Sequence, residues 1–214
     1  MKIAIFTDSL GLPRNTPEKV EYKNTWIYLL GKEHEIFQVS IGGATIIDLY
    51  NQTGYLESFN PDIVLIQSGI VDCTPRALTK TENHILNKYR ITRKILNIIL
   101  KKKTIRFLRK YRNCNYTNIS TFLHYANNFQ THYKISRVYF IGILPAADAY
   151  ENKIPGVKHN INLYNRGLKN IYLNNFFDTS DFGTNEIMSD YTHLNDAGNK
   201  ALFNKICKII NLPQ

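Results

Sequence analysis

Three side chains of this protein have the types that nucleophilic catalysis by serine needs. Ser9 supplies a hydroxyl, His193 a base able to take its proton, and Asp190, three residues before the histidine, a carboxylate able to orient the imidazole. The attacked carbonyl also needs donors for the negative charge that develops on its oxygen. The backbone N–H groups of Ser9 and Gly43 could supply them, because Ile41-Gly42-Gly43-Ala44 lets the chain approach a ligand closely. Each residue has a plainer explanation. Asp8 or Ser9 could cap a helix. Asp190 and His193 could form a structural pair at the start of the last helix, and the two glycines could be an ordinary strand-to-helix turn.

The elements around these residues would bring them together. Lys2-Ile3-Ala4-Ile5-Phe6 reads as a buried strand that opens into Thr7-Asp8-Ser9-Leu10-Gly11. Further strands are expected at Glu35–Ser40, Asp62–Gln67, Arg137–Ile143 and, short, at Phe176-Phe177. Helices are expected from Glu18 to Leu30, from Thr45 to Phe59, over Glu82–Arg112 with one possible break, from Asn118 or Ser120 to Tyr133, from His159 to Asn175, and from Asn195 to Ile210. The alternation predicts one α/β domain over 1–214, a parallel sheet with helices on both faces. The Glu82–Tyr133 stretch is expected to stand out as a helical insertion. In such sheets ligands bind outside the carboxyl ends of the strands, where Ser9 lies.

Four blocks then carry a resemblance. Thr7-Asp8-Ser9-Leu10 resembles the Gly-Asp-Ser-Leu block of the GDSL or SGNH hydrolases, and Gly43 falls where that family places its oxyanion glycine. Gly69-Ile70-Val71-Asp72 resembles the Gly-x-Asn-Asp block, and Asp190-x-x-His193, with Leu194-Asn195 and Gly198 behind it, resembles the Asp-x-x-His block. The blocks keep the family's order and span almost the whole chain. The resemblance implies a flavodoxin-like three-layer α/β/α fold and serine esterase or acyltransferase chemistry, with no metal or organic cofactor. Ser9 would be the nucleophile, His193 the general base and then acid, and Asp190 its orienting residue. Asp8, Arg14, Gly69 and Asp72 are expected at the substrate site.

Two positions depart from the family pattern. Thr7 replaces the first glycine, with consequences expected for packing only. Val71 stands where the family has an oxyanion asparagine, and valine has no side-chain donor. Losing one such donor costs about 10²–10³ in rate. Arg76, in a loop stiffened by Thr74-Pro75, is the expected replacement, with a surface salt bridge as its plainer reading. Arg14, in the Ser9 loop, is a second replacement. Either arginine could instead hold a negatively charged sugar, a phosphate or a carboxylate.

The expected activity is removal of acyl groups, acetyl above all, from a sugar or glycan intermediate. The Asp72-Cys73-x-Pro75-Arg76 variant resembles family members linked to bacterial surface polysaccharides. The alternatives are an O-acyltransferase using the same three residues with a donor such as acetyl-CoA, and a non-catalytic module that binds glycans or a membrane surface.

Composition narrows the partners. The chain has 214 residues, 43% hydrophobic, and a net charge of +10. No Asp or Glu lies between Glu82 and Asp148, where 13 Lys or Arg occur; the remaining chain has 14 basic and 17 acidic residues. The basicity therefore belongs to one segment. Lys101–Arg112 reads as a basic amphipathic stretch, either a solvated face or a surface for anionic membranes or polyanionic glycans. It lies on no recognisable nucleic-acid module, which argues against nucleic acid. Cys73, Cys114 and Cys207 form neither a disulfide framework nor a metal-ligand spacing. No apolar run reaches the ~18–20 residues of a membrane span, and the first residues do not read as a signal peptide. A cytoplasmic location is expected.

Overall fold

A computed structural model describes residues 1–56, 58–88, 101–112, 114–134 and 136–210. Its sheet has strands β1 (Lys2–Thr7), β2 (Glu35–Ser40), β3 (Ile63–Gln67), β4 (Arg137–Ile141) and β5 (Phe176–Phe177), in the order β2-β1-β3-β4-β5. All neighbours are parallel, which is the flavodoxin-like order. The register sets Thr7 beside both Ser40 and Gln67, so the loops after β1, β2 and β3 open side by side.

The helices are α1 (Trp26–Leu30), α2 (Ile46–Tyr50), α3 (Ile70–Cys73), α4 (Lys80–Lys88), α5 (Lys102–Arg112), α6 (Ile119–His132), α7 (Asp148–Lys153), α8 (Val157–Tyr172) and α9 (Asp196–Ile210). Side chains of β1 alternate between two cores, as the period of a strand requires. Ala4 and Phe6 pack with α2, α6 and α8 through Leu49, Phe129 and Tyr164. Ile3 and Ile5 pack with α1 and α9 through Trp26, Leu202 and Ile206. The result is three layers, α/β/α. Ile63, Val64, Leu65 and Ile66 of β3 are wholly buried, each worth about 1.5–3 kcal/mol of apolar burial.

Several expectations are corrected. The helix expected from Glu18 is α1 alone, preceded by a 3-10 turn at Tyr22–Asn24. Arg14 and Val20 exchange backbone hydrogen bonds, which draws the intervening chain into an extended loop. Thr25 then caps α1 by accepting from the Tyr28 N–H. The helix expected to reach Phe59 stops at Tyr50, where the Thr53 hydroxyl donates to the Tyr50 carbonyl and competes with continuation.

Helix α7 lies between the expected strand from Arg137 and the expected helix from His159, where no helix was expected. The insertion is shorter than expected, because α6 buries Phe122, Ala126 and Phe129 in the core and belongs to one layer of the fold. The middle of the expected Glu82–Arg112 helix, residues 89–100, lies outside the described residues. Arg112 fastens α5 to α4, donating to both carboxylate oxygens of Glu82 at 2.7 and 2.9 Å and to the Ala77 carbonyl. Lys102, Lys103, Arg106 and Lys110 face outward beside exposed Phe107 and Tyr111. The three cysteines are free thiols. No helix among the described residues is long and apolar enough to cross a membrane.

Candidate active site

Ser9 opens a 3-10 turn at the carboxyl end of β1. The turn is held from below: the Leu10 N–H donates to Asp8 Oδ1 at 2.9 Å, and Leu10 is buried. Asp8 is therefore the cap, which leaves the Ser9 hydroxyl free. Its Oγ lies 2.9 Å from Nε2 of His193. Thr7, where the resemblance expects a glycine, turns its hydroxyl to Ser40 Oγ at 2.6 Å. Gly11 makes room for it, because a Cβ at Gly11 would overlap Thr7 Oγ1.

The histidine is fixed by its own loop. Asp190 Oδ2 accepts from His193 Nδ1 at 2.7 Å. Asp190 Oδ1 accepts from the backbone N–H of Thr192 at 2.9 Å and of His193 at 3.1 Å, and from the Thr192 hydroxyl at 3.2 Å. A carboxylate can only accept, so Nδ1 carries the proton and Nε2 is left as acceptor toward Ser9. Burial pushes the Asp190 carboxyl up, but the hydrogen bonds from His193 and Thr192, with the His193 charge, outweigh it and hold Asp190 well below the ordinary carboxylate range.

Tyr191 sits between these groups with φ of +69°. That left-handed turn costs about 1–2 kcal/mol in a non-glycine residue, and it folds Asp190 back onto His193. The Tyr191 ring stacks on Tyr150 at 6.0 Å. The Met188 N–H donates to the His193 carbonyl at 2.7 Å, and Leu194 is buried in the core under α9. Thr192 and the Tyr150–Tyr191 stack were not read from the sequence. A threonine next to a histidine carries no signal until the loop's hydrogen bonds are known.

The other expected site residues fall into different positions. Gly43 has φ of +74° in an exposed turn tied to β1 by the Ile41 N–H and the Thr7 carbonyl at 3.0 Å. Among the described residues, neither the Gly43 nor the Ser9 N–H donates to a protein acceptor. Asp72 is buried and accepts from the Ile46 N–H through both oxygens at 3.1 and 3.2 Å, so it anchors the start of α2 and with it the Gly43 turn. Burial pushes the Asp72 carboxyl up to about 6, opposed by the Thr117 hydroxyl and the Ile46 N–H.

Gly69 has φ of +126°, and a Cβ there would stand 2.6 Å from Ile143 Cδ1. It is a close-packed turn at the head of α3. Arg14 lies 3.5 Å from Asp190 Oδ2, against the orienting carboxylate itself. Arg76 donates from Nη2 to the Val71 carbonyl at 3.2 Å, and its guanidinium lies 4.5 Å from the Tyr116 ring centre. Its contacts are with Val71 and Tyr116, and no hydrogen bond joins it to the Ser9 loop among the described residues. No group of side chains suited to a metal ion occurs among the described residues. A cavity of about 430 Å³ lies beside the Asp190–His193 loop, lined in part by Pro145, Ala146, Phe182, Ile187, Met188 and Tyr191.

No protein-family model and no curated protein matches the chain. Solved structures do. A lipase/acylhydrolase from Enterococcus faecalis superposes with a TM-score of 0.63 at 16% identity, covering 98% of this chain and 94% of that one. A catalytic mutant of Axe2, an acetylxylan esterase from Geobacillus stearothermophilus, gives 0.61 at 13% identity, covering 99% and 94%. A protein assigned to the G-D-S-L lipolytic family from Desulfitobacterium hafniense gives 0.57 at 14%, covering 97% and 98%. The chain has the fold of the SGNH hydrolases.

Proposed function

We propose that this chain, built on the SGNH fold, is a serine esterase that removes acetyl or other small acyl groups from a sugar or glycan. The observation that carries this reading is the continuous line of hydrogen bonds, 2.9 Å from Ser9 Oγ to His193 Nε2 and 2.7 Å from His193 Nδ1 to Asp190 Oδ2. That line supports a two-step reaction. Ser9 Oγ attacks the ester carbonyl while Nε2 takes its proton. The oxyanion would meet the free N–H groups of Ser9 and Gly43. The tetrahedral adduct collapses, the C–O bond to the alcohol breaks, and His193 returns the proton to the leaving oxygen. Water then attacks the acyl-Ser9 ester by the same route and frees the acid. Asp190 keeps Nδ1 protonated throughout and stabilises the imidazolium. The acetyl-sugar assignment is supported by the acetylxylan esterase among the structural neighbours. The test is hydrolysis of p-nitrophenyl acetate and a panel of acetylated sugars by wild type and Ser9→Ala. A loss of about 10³-fold or more is expected; equal rates would refute Ser9 as nucleophile.

The same acyl-Ser9 ester could pass its acyl group to a sugar hydroxyl instead of water. The observation favouring this second reading is the concentration of cationic side chains in and beside the insertion, suited to the phosphates of an acetyl-CoA donor. Mass spectrometry of donor and sugar acceptor together separates the two readings. An acylated acceptor that forms with wild type and not with Ser9→Ala would establish transfer.

A further inference from the structure

We infer that Arg76 and Arg109 form an anion-binding subsite at the edge of the active site, which takes a phosphate or carboxylate group carried by the substrate. The inference deepens the esterase reading and rests on it for the word substrate. Arg109 lies on the inward face of α5 with Thr104, Ile105 and Leu108, while Phe107, Lys110 and Tyr111 face solvent. Its Nε is buried and has no partner among the described residues, and the same holds for Nε of Arg76. Arg76 reaches the carbonyl of Val71 with one nitrogen and covers the Tyr116 ring.

Neither arginine makes an ion pair among the described residues. The segment from 83 to 147 contains no Asp or Glu that could provide one. Arg112 shows the contrast. One turn further along the same helix it is saturated by Glu82 and the Ala77 carbonyl. A structural arginine on α5 thus has its acceptors, and Nε of Arg109 has none among the described residues. Burial, and next the charge of Arg76, hold the Arg109 guanidinium below its ordinary value, so the two cations act on each other. Two like charges with buried, unpaired donors are unfavourable unless an anion joins them. Guanidinium groups suit planar or tetrahedral oxyanions, which accept two parallel hydrogen bonds from each fork.

The position of the subsite ties it to the candidate chemistry. Arg76 is anchored on Val71, the residue where the family's oxyanion asparagine is expected. On the other side, the buried Tyr150 hydroxyl lies close to Thr74 and in the field of both arginines. The Tyr150 ring stacks on Tyr191, next to Asp190. An anion between Arg76 and Arg109 would therefore lie between α3, through Val71, and the Tyr150–Tyr191 stack next to Asp190.

The test uses Ser9→Ala protein, so that binding is read without turnover, in calorimetric titrations with three probes. Coenzyme A carries phosphates, N-acetylneuraminic acid carries a carboxylate, and N-acetylglucosamine is neutral. At least one anion is expected to bind tenfold or more tightly than the neutral sugar. Arg109→Gln should weaken that anion by tenfold or more, and Arg109→Lys should recover part of the loss. Preference for coenzyme A identifies a phosphate ligand, and preference for the acidic sugar a carboxylate. Equal binding of all three probes by Ser9→Ala overturns the proposal without any arginine variant. Undiminished anion binding by Arg109→Gln and Arg76→Gln overturns it as well. Failure of the esterase reading would show separately, as absent hydrolysis by wild type with anion binding intact.

Discussion

Replacing Asp8 with asparagine removes a charge from beneath the nucleophile, and its effect on stability should depend on pH. Asp8 has no exposed surface, and its Oδ2 is buried without a partner. Burial raises its carboxyl first; the Leu10 N–H opposes, the charge of Asp72 adds, and Arg14 opposes, leaving a value of about 7 against an ordinary 3.8. The folded chain therefore holds this proton more tightly than the unfolded chain. Stability falls as pH rises from about 4 to about 7 and is level above that. The full gap corresponds to about 4 kcal/mol, of which about 3 kcal/mol falls between pH 5 and pH 8. Asparagine keeps the acceptor for Leu10 and does not titrate. Asp8→Asn should therefore gain about 3 kcal/mol on wild type between pH 5 and pH 8. Urea unfolding followed by fluorescence of Trp26, the sole tryptophan and wholly buried, measures both proteins across that range. A difference that stays constant within about 1 kcal/mol would refute the reasoning, because it would mean that Asp8 is ionised and solvated in the folded protein.

Two further outcomes follow from the site. Asp190→Asn presents an amide N–H to His193 Nδ1 and drives the proton to Nε2, so kcat on p-nitrophenyl acetate should fall about 10³–10⁴-fold; the midpoint of urea unfolding at pH 7 checks that the loop survives. Val71→Asn restores a side-chain donor where the family has one and should raise kcat on the same ester by about tenfold or more, toward the 10²–10³ that one oxyanion donor is worth. An unchanged or lower kcat would place the third donor elsewhere.

The sheet was legible because its strands are short β-branched or apolar runs ending in glycine and polar residues, a pattern that buried parallel strands require. The places of Ser9, Gly43 and Asp190–His193 in the fold were legible for the same reason: each sits at a strand end or a helix start that the pattern marks. Helix lengths were not. Thr25 and Thr53 end or delay helices through single side-chain hydrogen bonds, and hydrophobic periodicity does not register those. Residues with two roles were also ambiguous. Asp72 and Gly69 stand in a motif block, yet their contacts are with the Ile46 N–H and the Ile143 side chain. Arg109 was visible only as one charge in a basic run, since the inward face of α5 is set by Arg112 and Glu82, far apart in sequence.

The asymmetry of the site bears on what it would act on. The hydrogen-bonded line from Ser9 to Asp190 is complete, while on the proposed esterase reading the oxyanion would meet two backbone N–H groups, with a valine where the resemblance expects a side-chain donor. On that reading, a neutral ester that touches only this centre would be turned over slowly, because it would lack one donor's share of transition-state stabilisation. Binding energy from a remote, non-reacting part of a substrate can offset that deficit when it is realised more fully in the transition state. The proposed Arg76–Arg109 subsite would be such a source: Arg76 donates to the Val71 carbonyl, and Nε of Arg109 has no partner among the described residues. Val71, which offers no side-chain donor, thus holds a cation through its carbonyl. That exchange favours selection by charge over general esterase activity. On this reasoning, the ratio of kcat/KM for an anionic acetyl ester to that for p-nitrophenyl acetate is the informative quantity, and it would be large in wild type and fall toward one when Arg109 is removed.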